Sequence, residues 1–148
     1  MIIAMAADHG GFELKNDVKK YLETLKDSDG NGYKIVDLGT NAPESVDYPI
    51  YGKACARAVA DGKAELGLVF CGSGIGISIA ANRIRGVRCA LVNSVELATL
   101  AKKHNNANML AMGGRFTSPE LARQMVDAWL KEKYEGGRHN RRIALLDD

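Results

Sequence analysis

The sequence predicts an α/β protein in which a five-stranded parallel sheet lies between two helical layers. Five apolar runs of strand length alternate with segments of helical periodicity, and chemistry-bearing residues follow three of those strands: Asp8-His9, Cys71 to Gly76, and Arg115. Ile2 to Ala7 is a continuous apolar run, as expected of a strand buried on both faces of a parallel sheet. From Phe12 the spacing of Leu14, Val18, Tyr21, Leu22 and Leu25 marks the apolar face of a helix, with Lys15, Asp17, Lys19, Lys20 and Glu23 mostly opposite. Lys26 to Gly32 then breaks it with turn formers. Asp27, Asp29, Asn31 and Gly32 imitate the start of a calcium loop, but Leu38 stands where the bidentate Glu belongs, so the segment reads as a solvated turn.

Tyr33 to Leu38 is the second strand, and a loop from Gly39 to Ser45 follows it. Asp47 is placed to cap a helix with Pro49 in its first turn, ending at Asp61-Gly62. Ala64 to Phe70 is the third strand, and Ile77 to Arg83 reads as the start of a helix. Arg88 to Val92 is a fourth strand, after which Ser94 caps a helix ending near His104. Ala107 to Met112 is a fifth, closed by Gly113-Gly114-Arg115. Ser118-Pro119-Glu120 opens the last long helix, whose face of Leu121, Met125, Ala128, Trp129 and Leu130 is expected to cover the sheet. Beyond Tyr134 a basic turn and a small apolar patch leave two readings open for 134–148, a disordered tail or an arm docking on another subunit.

The 148 residues fit one domain, 1–148, and a net charge of +2 offers no bulk signal for nucleic acid. Three cysteines, Cys55, Cys71 and Cys89, form no C-x-x-C pair and no secreted framework, which points to free thiols and a reducing, cytoplasmic setting. The apolar opening is too short for a signal peptide, and no stretch is long enough to span a membrane.

Phe70-Cys71-Gly72-Ser73-Gly74-Ile75-Gly76 is the expected centre of the chemistry. A thiol at the carboxyl end of a strand, followed by a glycine turn and a helix start, meets backbone N–H groups and partial positive charge, a setting that favours anions and thiolate over thiol. A buried structural cysteine in a packing turn is the competing reading. In a parallel sheet, ligands bind outside the carboxyl ends of the strands, so one crevice can collect Asp8, His9, the cysteine loop and Arg115. His104 and Asn105 lie at a helix end, where the pattern does not bring them to that crevice.

Taken in order, Asp8-His9-Gly10-Gly11-Phe12, Asp47-Tyr48-Pro49, the run from Cys71 to Asn82, His104-Asn105 and the run from Glu135 to Arg142 resemble the type B ribose-5-phosphate isomerase family, which includes the galactose-6-phosphate isomerase subunits. The resemblance spans nearly the whole chain. It implies a Rossmann-like α/β/α sandwich and a metal-independent aldose–ketose isomerase of the pentose phosphate pathway. Its substrates are expected to be ribose 5-phosphate and ribulose 5-phosphate, interconverted through an enediolate without a cofactor. Allose 6-phosphate or galactose 6-phosphate is the alternative substrate. It further implies a homodimer or homotetramer whose active sites are shared across the dimer interface, with no nucleic acid and no membrane as partner. By the same resemblance Cys71 is the base that moves a proton between carbons 1 and 2, and Gly72, Ser73, Gly74, Ile75 and Gly76 supply amides to the intermediate. His104 opens the furanose ring with Asn105 beside it. Asp8, His9 and Tyr48 contact the sugar, while Arg115, Arg138 and Arg142 hold the phosphate end, the last two in a neighbouring subunit's site. Many members carry threonine where this chain has Ser73.

Two other chemistries compete. A cysteine-dependent phosphatase wants arginine six residues after its nucleophile, and Ile77 occupies that place. A sugar-phosphate sensor would use the same arginines without turnover.

Overall fold

The computed structural model describes residues 1–148. Its elements run β1 (Ile2–Ala7), α1 (Phe12–Leu22), β2 (Lys34–Asp37), α2 (Tyr48–Ala60), β3 (Leu66–Cys71), α3 (Ile75–Asn82), β4 (Cys89–Leu91), α4 (Val95–Asn105), β5 (Met109–Gly113), α5 (Pro119–Lys131) and α6 (Arg138–Ala144). The five strands form one parallel sheet in the order β2-β1-β3-β5-β4. The chain reverses direction across the sheet between β1 and β3, and β5 is inserted between β3 and the edge strand β4. Such a reversal opens a crevice at the carboxyl edge.

Alternation along the strands divides the core in two. Ile3, Met5, Leu68, Phe70, Leu110 and Met112 face α1, α4 and α5, while Ala4, Ala6, Val69, Cys71 and Ala111 face α2 and α3. The Cys71 side chain therefore lies on the α2–α3 side of the sheet. Trp129 is fully buried, and its Nε1 donates to Ala107 O at 3.0 Å, which satisfies the one polar atom that burial would strand.

The expected elements are present in the expected order, with ends shifted by one to three residues. Ser94 and Ser118 cap α4 and α5, their hydroxyls accepting from Leu97 N and Leu121 N at 3.1 Å each. Asp47 stands at the N-cap of α2, but its side chain makes no capping bond. Helix α3 begins two residues before the expected start, directly on Gly74. The inward face of α5 is Ala122, Met125, Val126 and Trp129, with Leu121 and Leu130 flanking it, which rotates the expected stripe.

Two expectations change. Lys15, placed on the outer face of α1, is fully buried, because Asp37 and Asn41 reach it across the helix–strand junction. Residues 138–144 form α6 rather than a disordered tail, and Glu135 N donates to Lys103 O at 3.0 Å, tying the approach to α6 onto the end of α4. The 26–32 turn closes on itself: Asp27 Oδ1 accepts from Asp29 N and Asn31 N, and its Oδ2 accepts from the amino terminus.

Candidate active site

Three loops leave the carboxyl edge side by side, after β1, β3 and β5, and their main chains touch. Asp8 N donates to Phe70 O at 3.1 Å, Gly114 N to Cys71 O at 2.7 Å, and Arg115 N to Gly72 O at 3.0 Å. No side chain fits between them, since a Cβ on Gly114 would collide with the carbonyl of Gly10. The close approach lays the Arg115 guanidinium over Gly72, within about 3 Å of where a Cβ would stand there.

Cys71 ends β3 on this floor. Its Sγ accepts from Gly74 N at 3.1 Å, so the sulfur points into the turn that follows it, and the residue is 5 % exposed. Gly74 holds φ +80°, the left-handed conformation that lets the chain double back over the sulfur and enter α3. Ser73 Oγ accepts from Ile75 N at 3.2 Å. The N–H groups of Gly72, Ser73 and Gly76 make no hydrogen bond within the chain, as expected at a helix start, and are available to an oxyanion. All three cysteines are free thiols. Burial pushes the Cys55 thiol up to about 12 and raises Cys89 as well, so these two are inert apolar groups.

Polar side chains stand on the neighbouring loops at the same edge. Asp8 is buried and its Oδ1 accepts from Gly10 N at 2.8 Å. His9 Nδ1 accepts from Val46 N at 3.1 Å, which leaves Nε2 as the proton-bearing nitrogen of the neutral ring. The Tyr48 ring, at the first residue of α2, packs where a Gly76 side chain would stand. Asp8, His9, Tyr48, Cys71, the 72–76 turn and Arg115 thus gather at one edge of the sheet.

His104, Asn105, Arg138 and Arg142 do not join them. They belong to the last turn of α4 and to α6, and the chain between Asn105 and the carboxyl edge still has to run the length of β5, roughly 13 Å at 3.3 Å per residue. Arg88, just before β4, marks the same amino edge: its Nε donates to Asn105 O at 3.2 Å and Asn106 O at 3.1 Å. At this second centre a cavity of 280 Å³ is lined by His104, Asn105, His139, Arg142, Ile143 and Leu146. A larger one of 410 Å³ adjoins it through Asn105 and Leu146, and neither borders Cys71.

Two residues of the second centre carry no role in the sequence reading. Glu135 accepts from Arg138 Nη1 at 3.2 Å and stands 3.8 Å from His104 Nε2 and 3.9 Å from His139 Nε2. His139 is 6 % exposed, and its ring stacks on His104. Glu135 lies before α6, separated from it by Gly136 and Gly137 at positive φ, so no helical spacing in the sequence signals its approach to His139. The ligand atoms of His104, Glu135 and His139 lie within 4.8 Å of one another. The stacked rings keep their lone pairs in near-parallel planes, an arrangement that does not converge on one metal ion.

The family model described as Ribose/Galactose Isomerase matches residues 3–146. The chain is 43% identical over 144 residues to ribose-5-phosphate isomerase B of Escherichia coli K12, covering 97% of this chain and 93% of that one. Among solved structures it is similar to a ribose 5-phosphate isomerase of Thermotoga maritima, with TM-score 0.91 and 46% identity over 99% of this chain and 97% of that one. It is also similar to ribose-5-phosphate isomerase B of Mycoplasma genitalium with bound ribulose-5-phosphate, with TM-score 0.88 and 38% identity over 98% and 93%.

Proposed function

The chain belongs to the ribose/galactose isomerase family, and from that premise we propose that it interconverts ribose 5-phosphate and ribulose 5-phosphate through an enediolate. Moving the carbonyl from carbon 1 to carbon 2 requires one proton to leave carbon 2 and one to reach carbon 1, so a single base between the two carbons serves both steps. Cys71 is that base. The observation that carries the assignment is the sulfur turned into the 72–76 loop, beside three N–H groups without partners. Charge that develops on the enediolate oxygen meets donors already aimed, each typically worth about 3 kcal/mol. Asp8, His9 and Tyr48 bind the sugar hydroxyls, and Arg115 lies over the same floor.

The second centre serves the site of another subunit. His104 opens the furanose ring with Asn105 beside it, and Arg138 and Arg142 clamp the phosphate, all reaching from α4 and α6 of a homodimer partner. What supports this reading is the distance within one chain, together with α3. Ile77, Ala80 and Ala81 of that helix are buried on the sheet, yet Ile75 and Ile79 on its other side are 54 % and 51 % exposed. A helix apolar on both sides calls for cover on both. The arm 134–148 travels with this contact. No helix is long and apolar enough to cross a membrane, and we place the enzyme in the cytoplasm, in the pentose phosphate pathway.

The protein incubated with ribose 5-phosphate, allose 6-phosphate and galactose 6-phosphate, with chelator present, is expected to form ribulose 5-phosphate at full rate. Turnover confined to a six-carbon sugar would move the assignment to the galactose branch that the family's description includes. Cys71→Ala is expected to lower turnover about 10³-fold while sugar-phosphate binding by calorimetry persists.

A further inference from the structure

We propose that His139 is a positioning residue for ring opening, its imidazole face serving as the shelf that fixes the plane of His104. The inference deepens the isomerase reading and rests on it. Ribose 5-phosphate closes to a furanose, so before any proton leaves carbon 2 the bond between carbon 1 and the ring oxygen must break. In that step the anomeric hydroxyl gives up a proton as the carbon 1 carbonyl forms, and the ring oxygen takes one up. The imidazole that carries these protons has to sit within hydrogen-bond reach and in one orientation.

His104 is poorly held by its own helix. It lies in the last turn of α4 with its side chain 35% exposed, and its polar contact to Glu135 Oε2 is 3.8 Å, longer than a hydrogen bond. What lies flat against it is His139, with ring centroids 4.6 Å apart and planes 20° apart. His139 is buried, and its Nε2 has no hydrogen-bond partner. A buried nitrogen left unpaired costs the fold about 1–3 kcal/mol, so the part of the residue that its burial serves is the ring face. Burial lowers the His139 pKa, and the Arg138 charge and His104 add to the effect. Glu135 opposes them, and the net lowering favours a neutral ring as the shelf. The Arg138 link to Glu135 and the Glu135 N–H to Lys103 O fasten the segment that carries His139 to the end of α4.

Three His139 variants, one His104 control and one exchange measurement test this. His139→Ala is expected to lower kcat on ribose 5-phosphate by between about 10-fold and 100-fold, as a loss of orientation does. Deuterium entry at carbon 1 of ribulose 5-phosphate in D2O starts from an open-chain ketose and involves no ring, so it is expected to stay near the wild-type rate. The ratio of exchange to ribose 5-phosphate turnover then rises. His139→Phe, flat and neutral, restores turnover, and His139→Gln, which keeps a nitrogen without a ring, does not. Exchange and turnover falling together would mean general damage to the site and would overturn the proposal, as would rescue by Gln rather than Phe. His104→Ala is the control for the underlying reading. If it turns over ribose 5-phosphate normally, His104 has no part in ring opening. If it fails while His139→Ala does not, only the shelf is removed.

Discussion

Lys15 has no exposed surface, and its ammonium reaches both oxygens of Asp37 at 2.8 Å, Asn41 Oδ1 at 2.6 Å and Asn16 Oδ1 at 3.1 Å. Burial pushes the Lys15 pKa down with Asp37 opposing. For Asp37, burial alone would raise the carboxyl, but hydrogen bonds from Lys15 and Gly39 N outweigh it and hold the group below its usual 3.8. The short, complete contacts around Nζ favour a charged, satisfied lysine. A carboxyl with a depressed folded pKa contributes stability above its unfolded value, and that contribution is lost as pH falls through 3.8 toward the folded value. Asp37→Asn is therefore expected to flatten the acid limb of the stability curve, read as urea midpoints at about pH 3 and pH 6. Lys15→Met leaves Asp37 with Gly39 N and, as its only cation, Lys19 at 3.2 Å, and is expected to cost about 3 kcal/mol, measured by the same titration. The network also anchors the 39–47 loop, whose far end gives Val46 N to His9, so the sugar-contact edge is expected to loosen with it.

At the scale of elements, α3 decides what the cysteine can do. Its start on Gly74 aims an N–H at Cys71 Sγ and leaves the Gly76 N–H open. A Cβ on Gly74 would stand 2.7 Å from Leu91 Cδ1 and 2.8 Å from Met112 C, in a conformation that itself disfavours a side chain by about 1–2 kcal/mol. Gly74→Ala is thus expected to lower stability by at least that amount and to displace the turn from the sulfur. Turnover should fall further than the stability loss explains, which kinetics well below the melting temperature would show. Unchanged turnover would mean that the sulfur does not depend on the turn. Helix α4 does the corresponding work at the other edge. It ends on Asn106 at φ +44°, a left-handed position that asparagine tolerates, with its carbonyls held by Arg88, and this fixes where His104 and Asn105 leave the helix.

For the whole molecule, the two centres at opposite edges of one sheet make a prediction about assembly. If each site takes Cys71 from one subunit and His104 from another, Cys71→Ala and His104→Ala chains are inactive alone but complement when refolded together. Random pairing makes about half of the dimers mixed, and each mixed dimer has one intact site of two, so roughly a quarter of wild-type turnover returns. A mixture as inactive as its components would place both residues in the same chain's site.

The sequence by itself determined the alternation of five strands with helices, the thiol at the carboxyl end of β3, the glycine turn after it and the serine caps, because each follows from local periodicity or backbone chemistry. The family resemblance added the roles. Only the tertiary structure decided that Lys15 is buried, since its partners lie 22 and 26 residues away. It alone ordered 138–144 as a helix and stacked His139 on His104, because that contact joins the end of α4 to a segment beyond α5. Strand order did the rest: inserting β5 beside β3 put Gly113, Gly114 and Arg115 over the cysteine floor, and which strands become neighbours is a choice that no local pattern encodes.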